Sequence, residues 1–385
     1  MLHRRRPQGR RFRDDLLPDV GPMNDGRGDD ILARGAAGID GAPADAPPAL
    51  GGRLTSRRTL MSLVAAVGLV GLFLYSQDRT TLVDAARRIR DADPWLYVAA
   101  LATYYLAFPV RAWRWRILLG NAGTDTARLP STMGLAEIIY LSWFVNSLVP
   151  AKLGDVYRGW LVRRSGGVPW STAMGTIVAE RMLDLIVLTV LMVTTGLVTY
   201  GDVLARGVDG GAVACIRRGA RLDDLGCTLF DVFLIGGGAV IGMLVLFVVM
   251  ARYGGHLERV LPERAGRLYL RFADALVLSF GRFGPLLGLS ALAWMAEGMA
   301  FWLVGGALGY HLPLPLVVFF SLLQAFITAI PLTPGGLGFE PLLTGALRLR
   351  GFAGSGALAM TGLYRTISYG SLLVGGAVVY LARRR

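Results

Sequence analysis

Long apolar segments separated by charged loops constrain this chain more than any other feature. Hydrophobic residues make up 54% of its 385 residues and charged residues only 17%, against about 25% charge in a typical soluble protein. Apolar segments of roughly 20 residues with few charges are typical of helices that cross a lipid bilayer. The sequence therefore predicts an all-α polytopic integral membrane protein.

One stretch of sequence occurs twice within this apolar background, from Pro150 to about Leu188 and from Pro334 to about Leu373. With an offset of 184 positions, the aligned identities are Pro150/Pro334, Leu153/Leu337, Gly154/Gly338, Gly167/Gly351, Ala173/Ala357 and Arg181/Arg365. These residue types are common in membrane proteins, so chance similarity is the alternative. The joint spacing of a helix-breaking cluster and a later arginine favours a true repeat. In transporters, paired Gly/Pro-interrupted segments point to the substrate site.

The distribution of charge predicts how the chain crosses the membrane. Arg-rich segments such as 251–283 and Arg383–Arg385 belong on the cytoplasmic side by the positive-inside rule. About six transmembrane helices plus two re-entrant helical hairpins, one at each repeated break, satisfy that rule and form an inverted repeat. Eight plain spans are the alternative, and an external position for Arg348 and Arg350 counts mildly against the first arrangement.

The predicted organisation has four parts. We expect a disordered Arg-rich cytoplasmic tail at 1–58, a first membrane half at 59–200, an extracytoplasmic loop at 201–229 and a second membrane half at 230–385. The tail has no sustained apolar periodicity and therefore cannot bury a core of its own. The predicted location is a bacterial inner membrane, with both termini in the cytoplasm.

A run of alternating arginine and tryptophan ends the second predicted span. Arg111, Arg114 and Arg116 are interleaved with Trp113 and Trp115. We interpret these residues as an anchor at the membrane surface, in which cations face the cytoplasm and aromatic rings lie among the headgroups. Direct contact between these arginines and lipid phosphate is the alternative interpretation.

Charged residues also occur inside predicted spans, where each costs about 2.5–3.5 kcal/mol at a helix centre. These are Glu180, Arg181 and Asp184 in the long span expected at Ser171–Tyr200, Glu297, and Arg365. One interpretation is internal ion pairing, for example of Arg181 with Glu180 or Glu297. The other is a hydrated cavity in which Arg181 and Arg365, matched by the repeat, hold an anionic headgroup.

Glycines at the second break add a physical reason for a ligand site. Gly335, Gly336 and Gly338 allow close backbone approach, and a helix that starts after them directs free N–H groups at the same point. Asp155 and Glu340 lie beside the breaks, where they would cap helix starts or pair with the arginines when no lipid is bound. The candidate substrate-binding residues are Asn146, Lys152, Asp155, Arg158, Glu180, Arg181, Asp184, Gly335, Gly336, Gly338, Glu340 and Arg365.

Five runs in order resemble the lysylphosphatidylglycerol synthase transmembrane family. They are WRWRILL from Trp113, NSLVPAKLGDVYR from Asn146, E-R-x-x-D from Glu180, PLTPGGLGFE from Pro331, and Tyr364-Arg365. The resemblance covers roughly residues 60–382 and implies a flippase-like membrane domain that moves lipids, typically aminoacylated phospholipids, between leaflets. Relatives of this family are linked to polyprenyl-phosphate-linked glycans. The soluble synthase domain is not found before the chain ends at Arg385, so synthesis of lysylphosphatidylglycerol is not expected.

The resulting hypothesis is a lipid flippase or scramblase for an anionic, aminoacylated or polyprenyl-phosphate-linked lipid. The alternatives are a membrane-embedded lipid-modifying transferase and a non-catalytic partner of a lipid-modifying enzyme. Outside the N-terminal tail, Asp223-Asp224 is the only adjacent acidic pair that a transferase would use, and it lies in a polar loop. We expect no cofactor, no metal site and no nucleic-acid partner; membrane lipids, a second copy of the chain and a lipid-modifying enzyme are the partners considered.

Cys215 and Cys227 lie in the polar loop that the topology places outside the cytoplasm. An oxidising compartment favours a disulfide between them. We predict that protein isolated without reductant, and alkylated at once to block exchange, has no free thiol. Two freely alkylated thiols would remove this support for the topology.

Overall fold

Most of the residues whose structure is described lie in helices. A computed structural model describes residues 57–149, 152–208, 262–329 and 334–383, with short pieces between 238 and 252. No strand occurs among these residues. The helical membrane protein predicted from the apolar segments agrees with this architecture.

Twelve α-helices have bounds within the described residues, together with short 3₁₀ and π segments. They are α1 Arg57–Tyr75, α2 Arg79–Arg90, α3 Pro94–Asn121, α4 Thr132–Leu148, α5 Leu153–Gly166, α6 Trp170–Val208, α7 Glu263–Leu278, α8 Phe283–Ala307, α9 Leu314–Ala329, α10 Glu340–Leu349, α11 Gly354–Arg365 and α12 Leu372–Ala382. The 3₁₀ segments are Ser279–Arg282 and Pro334–Gly336, and the π segment is Thr366–Ser371.

The first two helices form a corner, with a bend of 106° between them. Helix α1 exposes apolar side chains along its length, including Met61 and Val64, as expected for a helix surrounded by lipid. Helix α2 is amphipathic. It buries Ala85 and packs against α11, while its arginines remain exposed.

The two sequence repeats fold into the same order of elements. Each has a helix, a break, a shorter helix, a glycine with positive φ, and a long helical segment. The glycines are Gly167 (φ 66°) and Gly351 (φ 86°), and the following helices begin at Trp170 and Gly354, each pair 184 positions apart. A left-handed glycine ends a helix without the steric cost that a side chain would add. The opposite orientation of the two halves stays a prediction.

The core lies where the two halves pack together. Helix α3 packs along α8, α6 packs against α7 and α9, and α4 contacts α3, α5 and α12. Phe301 of α8 stacks on Phe320 of α9 with ring centroids 4.7 Å apart. The Pro334–Gly336 turn packs against α4, so the break of the second repeat meets the helix that leads into the first.

Within the described residues, two helical stretches are long and apolar enough to cross a membrane: Trp170–Thr199 and Ala265–Ala307. The α1–α2 pair is a third if the bent pair counts as one span. The number of crossings and the re-entrant character of the hairpins therefore stay predictions.

The boundaries of one predicted loop need correction. Helix α6 continues to Val208, so residues 201–208 of the expected extracytoplasmic loop are helical. Cys215 and Cys227, most of the predicted tail and most of the span expected at Val232–Met250 lie outside the described residues.

Gly154 allows α5 to begin in contact with α4. A β-carbon at this position would overlap the Ser142 carbonyl oxygen and the Asn146 side-chain amide. We expect Gly154→Ala to lower the free energy of unfolding by about 1–3 kcal/mol, as overpacking usually does, measured by thermal or chemical denaturation in detergent. Gly71→Ala is the matched control because a β-carbon there meets open space. Equal stabilities of the two variants would contradict the close packing at Gly154.

Candidate functional site

The arginines of α3 do not form the surface anchor that the sequence suggested. Arg111 and Arg114 are 2% and 0% exposed, so the interpretation as a cytoplasmic cation belt is wrong for both. Arg116 is partly exposed, and its guanidinium donates to the carbonyl oxygens of Pro130 and Thr126 at 2.8 and 2.7 Å. Trp113 is 57% exposed, so the surface anchor stays a prediction for these two residues, whereas Arg111, Arg114 and Trp115 are part of the protein interior.

Arg114 joins α3 to α6 and α8. Its guanidinium donates to both carboxylate oxygens of Asp184, at 2.5 and 2.9 Å, and to the Ser290 hydroxyl at 2.8 Å. Glu180, one turn earlier on α6, lies 3.1 Å from the same guanidinium. The two acids share one face of α6 because they are four residues apart.

Arg158 of α5 completes this cluster from the other side. It donates to both oxygens of Glu180, at 3.2 and 2.7 Å. Its guanidinium also lies over the Trp115 ring, 3.8 Å from the centroid. A planar guanidinium suits such a site because it can form a bidentate pair and stack on an aromatic face together.

Arg111 makes a separate buried pair with Glu297 of α8, at 2.7 Å. Its guanidinium lies between two tryptophan rings, 4.8 Å from the Trp143 centroid and 5.0 Å from that of Trp294. The proposed alternative of internal ion pairing therefore describes this part of the site, but the partners differ from Arg181–Glu180 and Arg181–Glu297. The buried charges balance, with Arg111, Arg114 and Arg158 matched by Glu180, Asp184 and Glu297.

The first break has an unusual backbone and its own ion pair. Lys152, immediately before α5, has φ 55°, a left-handed conformation that is uncommon outside glycine. Asn146 accepts a hydrogen bond from the Gly154 amide at 2.8 Å, which satisfies one free N–H at the start of α5. Arg181 of α6 pairs with Asp155 through contacts of 2.9 and 3.3 Å. This ion pair joins α6 to the start of α5 at the first break.

The second break repeats this plan with glycines. Gly335, Gly336 and Gly338 all have positive φ. Arg365 of α11 donates to the carbonyl oxygens of Gly335 and Gly336, at 3.1 and 2.5 Å, and its Nε lies 3.1 Å from Glu340. Glu340 also accepts a hydrogen bond from the Gly338 amide at 2.7 Å. The acid therefore both caps the break and pairs with the arginine.

Tyr369 connects the two breaks. Its hydroxyl donates to the Ser147 carbonyl oxygen, near the end of α4, at 3.1 Å. Its ring lies so close to Gly335 that a β-carbon there would overlap it. Sequence inspection missed Tyr369 and Ser147, and the available signal was that Tyr369 is four residues after Arg365 and so shares its helix face.

Exposure divides the charged residues into two groups. The side chains of Arg181 and Asp155 are 28% and 12% exposed, and those of Arg365 and Glu340 are 10% and 11% exposed. The six buried residues around Arg111, Arg114 and Arg158 are at most 9% exposed. Arg158, Glu180 and Asp184, which the sequence suggested for substrate binding, thus lie in this buried group. Arg181 and Arg365 at the breaks are more exposed than the three buried arginines, whereas their acids are nearly as buried as Asp184. No cluster of three or more metal-ligating residues occurs in the described ranges.

Comparison with known proteins gives a family and several relatives. The profile of the family described as the lysylphosphatidylglycerol synthase TM region matches residues 60–376. A UPF0104 membrane protein of Methanocaldococcus jannaschii is 32% identical over 238 residues, which cover 62% of this chain and 93% of that protein. A UPF0104 membrane protein of Methanothermobacter thermautotrophicus is 24% identical over 293 residues, 73% of this chain and 83% of the relative.

A third relative has a name that refers to an activity. Glycosyltransferase AglD of Haloferax volcanii is 28% identical over 317 residues, which cover 76% of this chain but only 48% of that protein. No solved structure matches the chain significantly. The match of the family profile across most of the sequence confirms the resemblance, and the chain belongs to the family of the lysylphosphatidylglycerol synthase TM region.

Proposed function

We propose that this protein moves lipids with an anionic headgroup between the two leaflets of a membrane. The lipid classes in question are an anionic or aminoacylated phospholipid and a polyprenyl-phosphate-linked lipid. The observation that supports this proposal is the pair of matched helix breaks, each with an arginine that is paired with an acid and less buried than the rest of the charged network. The charge distribution fits a cytoplasmic membrane with both termini inside.

The carboxylate at each break occupies the position that a headgroup oxygen would take. Carboxylate and phosphate oxygens accept the same charge-assisted hydrogen bonds from a guanidinium. A phosphate that approaches Arg181 or Arg365 therefore replaces the acid without leaving the arginine unpaired. The arginines hold an internal anion until a lipid supplies another.

Each displaced acid keeps hydrogen-bond donors at its own break. Glu340 retains the Gly338 amide at 2.7 Å, and Asp155 lies 3.4 Å from both the Ser142 hydroxyl and the Asn146 amide nitrogen. This lowers the cost of exchange, because a carboxylate left buried without donors would be strongly destabilising. Two such breaks, one in each half, provide two binding sites for the headgroup.

A membrane-embedded transferase is the second candidate, because one relative is named as a glycosyltransferase. The matched segment is about half of that protein, so the activity in its name does not transfer directly. A transferase acting on a lipid-phosphate donor usually needs a base and a metal-binding acid pair. Loss of activity on a lipid donor after chelation would favour this candidate over transport, and a role as partner of a lipid-modifying enzyme predicts neither activity.

The experiment that tests transport uses purified protein in proteoliposomes with labelled anionic, aminoacylated, polyprenyl-phosphate and neutral lipids. We expect Arg181→Ala and Arg365→Ala each to slow translocation of the preferred anionic lipid by about tenfold or more. A hydrogen bond to a charged group contributes about 1.5–3 kcal/mol, and 1.4 kcal/mol corresponds to a factor of ten.

Arg383→Ala is the matched control, since Arg383 also pairs with a glutamate, Glu137, but with both side chains 37% exposed. It removes the same charge away from the breaks and should transport at the wild-type rate. Wild-type rates for both Arg181→Ala and Arg365→Ala, in protein with an unchanged thermal transition, would exclude the proposed headgroup sites.

A further inference from the structure

The helical segment after Arg365 changes to a π-helix over Thr366–Ser371. Single-turn π segments inside helices are frequent at functional sites. Four of these six residues bear a hydroxyl group: Thr366, Ser368, Tyr369 and Ser371. Tyr369 holds the first break, so the other three hydroxyls remain to be explained.

These three hydroxyls lie against helices α3 and α9. Tyr97 contacts Thr366 at 2.8 Å and Tyr105 contacts Ser371 at 3.0 Å. Tyr97 is in the first turn of α3, and Tyr105 is two turns further, roughly 12 Å along the axis at 1.5 Å per residue. We name Tyr97, Tyr105, Thr366, Ser368 and Ser371 the hydroxyl seam.

One hydroxyl group of the seam can still donate a hydrogen bond. Thr366 and Ser371 donate to the carbonyl oxygens of Leu363 and Ile367, both at 2.6 Å, so the two tyrosines are the donors in their contacts. Ser368 accepts from the Gln324 amide at 2.9 Å. Among the described residues, no acceptor is in place for the Ser368 hydroxyl hydrogen, which leaves one donor for another group.

The side chains of the hydroxyl seam are partly exposed. Thr366 is exposed, and the other four members are half-buried. Val374 and Val378, on the next turns of α12, are 70% and 63% exposed and apolar, as expected for a lipid-facing surface. The Ser368 hydroxyl hydrogen has no acceptor among the described residues, and an unpartnered polar group that faces hydrocarbon is unfavourable, so this partly open part of the seam fits water or a polar ligand better than lipid tails.

We propose that the hydroxyl seam is a hydrated track along which the phosphate-bearing headgroup of a lipid moves between Arg365, beside the first turn of α3, and the level of Tyr105, roughly 12 Å further along that helix. This inference rests on the proposed transport function. Thr366 follows Arg365 directly in the chain, so the track starts at the arginine. Trp95, in the first turn of α3, is 81% exposed, which is typical of residues at the headgroup level.

Neutral hydroxyl groups suit a path better than charged groups do. A hydrogen bond between neutral partners contributes roughly half as much as one to a charged group. A headgroup is therefore held firmly at the arginine and loosely along the seam. Arg365 selects the anion, and the seam lowers the cost of moving it.

The first test measures hydration by cysteine labelling, in protein with Cys215→Ser and Cys227→Ser that retains wild-type transport. Ser368→Cys and Ser371→Cys should react with a charged, membrane-impermeant thiol reagent at least about tenfold faster than the control Val374→Cys, because hydrocarbon suppresses the reactive thiolate. A short-chain anionic phospholipid should protect Ser368→Cys, whereas the same concentration of inorganic phosphate should not. Unreactive seam cysteines, or equal protection by inorganic phosphate, would overturn the lipid track.

The second test separates the track from the arginine site. Tyr105→Phe, Ser368→Ala and Ser371→Ala should each slow lipid translocation several-fold, while the thermal stabilisation of the purified protein by the same lipid persists. Thr194→Val is the control, since Thr194 bonds only its own helix, to the Val190 carbonyl at 2.7 Å. Impaired Arg365→Ala with unimpaired seam variants would reject the track alone, whereas unimpaired Arg365→Ala would reject the headgroup site itself.

Discussion

The pairing of buried arginines with carboxylates is the interaction on which the rest of this structure depends. A guanidinium removed from water is tolerated only with a closely placed anion and satisfied hydrogen bonds. Arg111 and Arg114 have such anions in Glu297, Asp184 and Glu180, which fixes α3 against α6 and α8. Their hydrogen bonding is incomplete, since Arg111 Nη1 and Arg114 Nε have no hydrogen-bond partner among the described residues. Removing any one partner would leave a charge in the core, so these helices are held in one arrangement.

At the two breaks, side chains satisfy backbone groups that have no partner within a helix. An interrupted helix at membrane depth has backbone groups that must be satisfied by protein or by a water-filled cavity. Asn146 satisfies the Gly154 amide, Arg365 satisfies two glycine carbonyls, and Tyr369 satisfies the carbonyl of Ser147. Side chains from neighbouring helices therefore take over hydrogen bonds that a continuous helix would make internally. The groups that support the irregular backbone are also those available to a polar ligand.

Sequence reasoning located the helices and the repeat but not the ionic partners. Apolar periodicity and Gly/Pro breaks are local signals, so α4, α9 and the offset between Arg181 and Arg365 could be predicted. The Arg114–Asp184 and Arg111–Glu297 pairs join residues 70 and 186 positions apart. No local sequence pattern indicates which acid pairs with which arginine over such distances. The tryptophans beside these arginines were misleading, because stacking on a buried guanidinium and lying among headgroups use the same residue type.

The position of α3 in the chain has a consequence for biosynthesis. Arg111 and Arg114 are made long before Asp184 and Glu297, the acids that neutralise them. An unpaired arginine costs about 2.5–3.5 kcal/mol of insertion free energy at the centre of a membrane helix. The acids on α6 and α8 offset this cost only once those helices have been made. As a predicted membrane span, α3 therefore has its full set of ionic partners only after α6 and α8 have been synthesised.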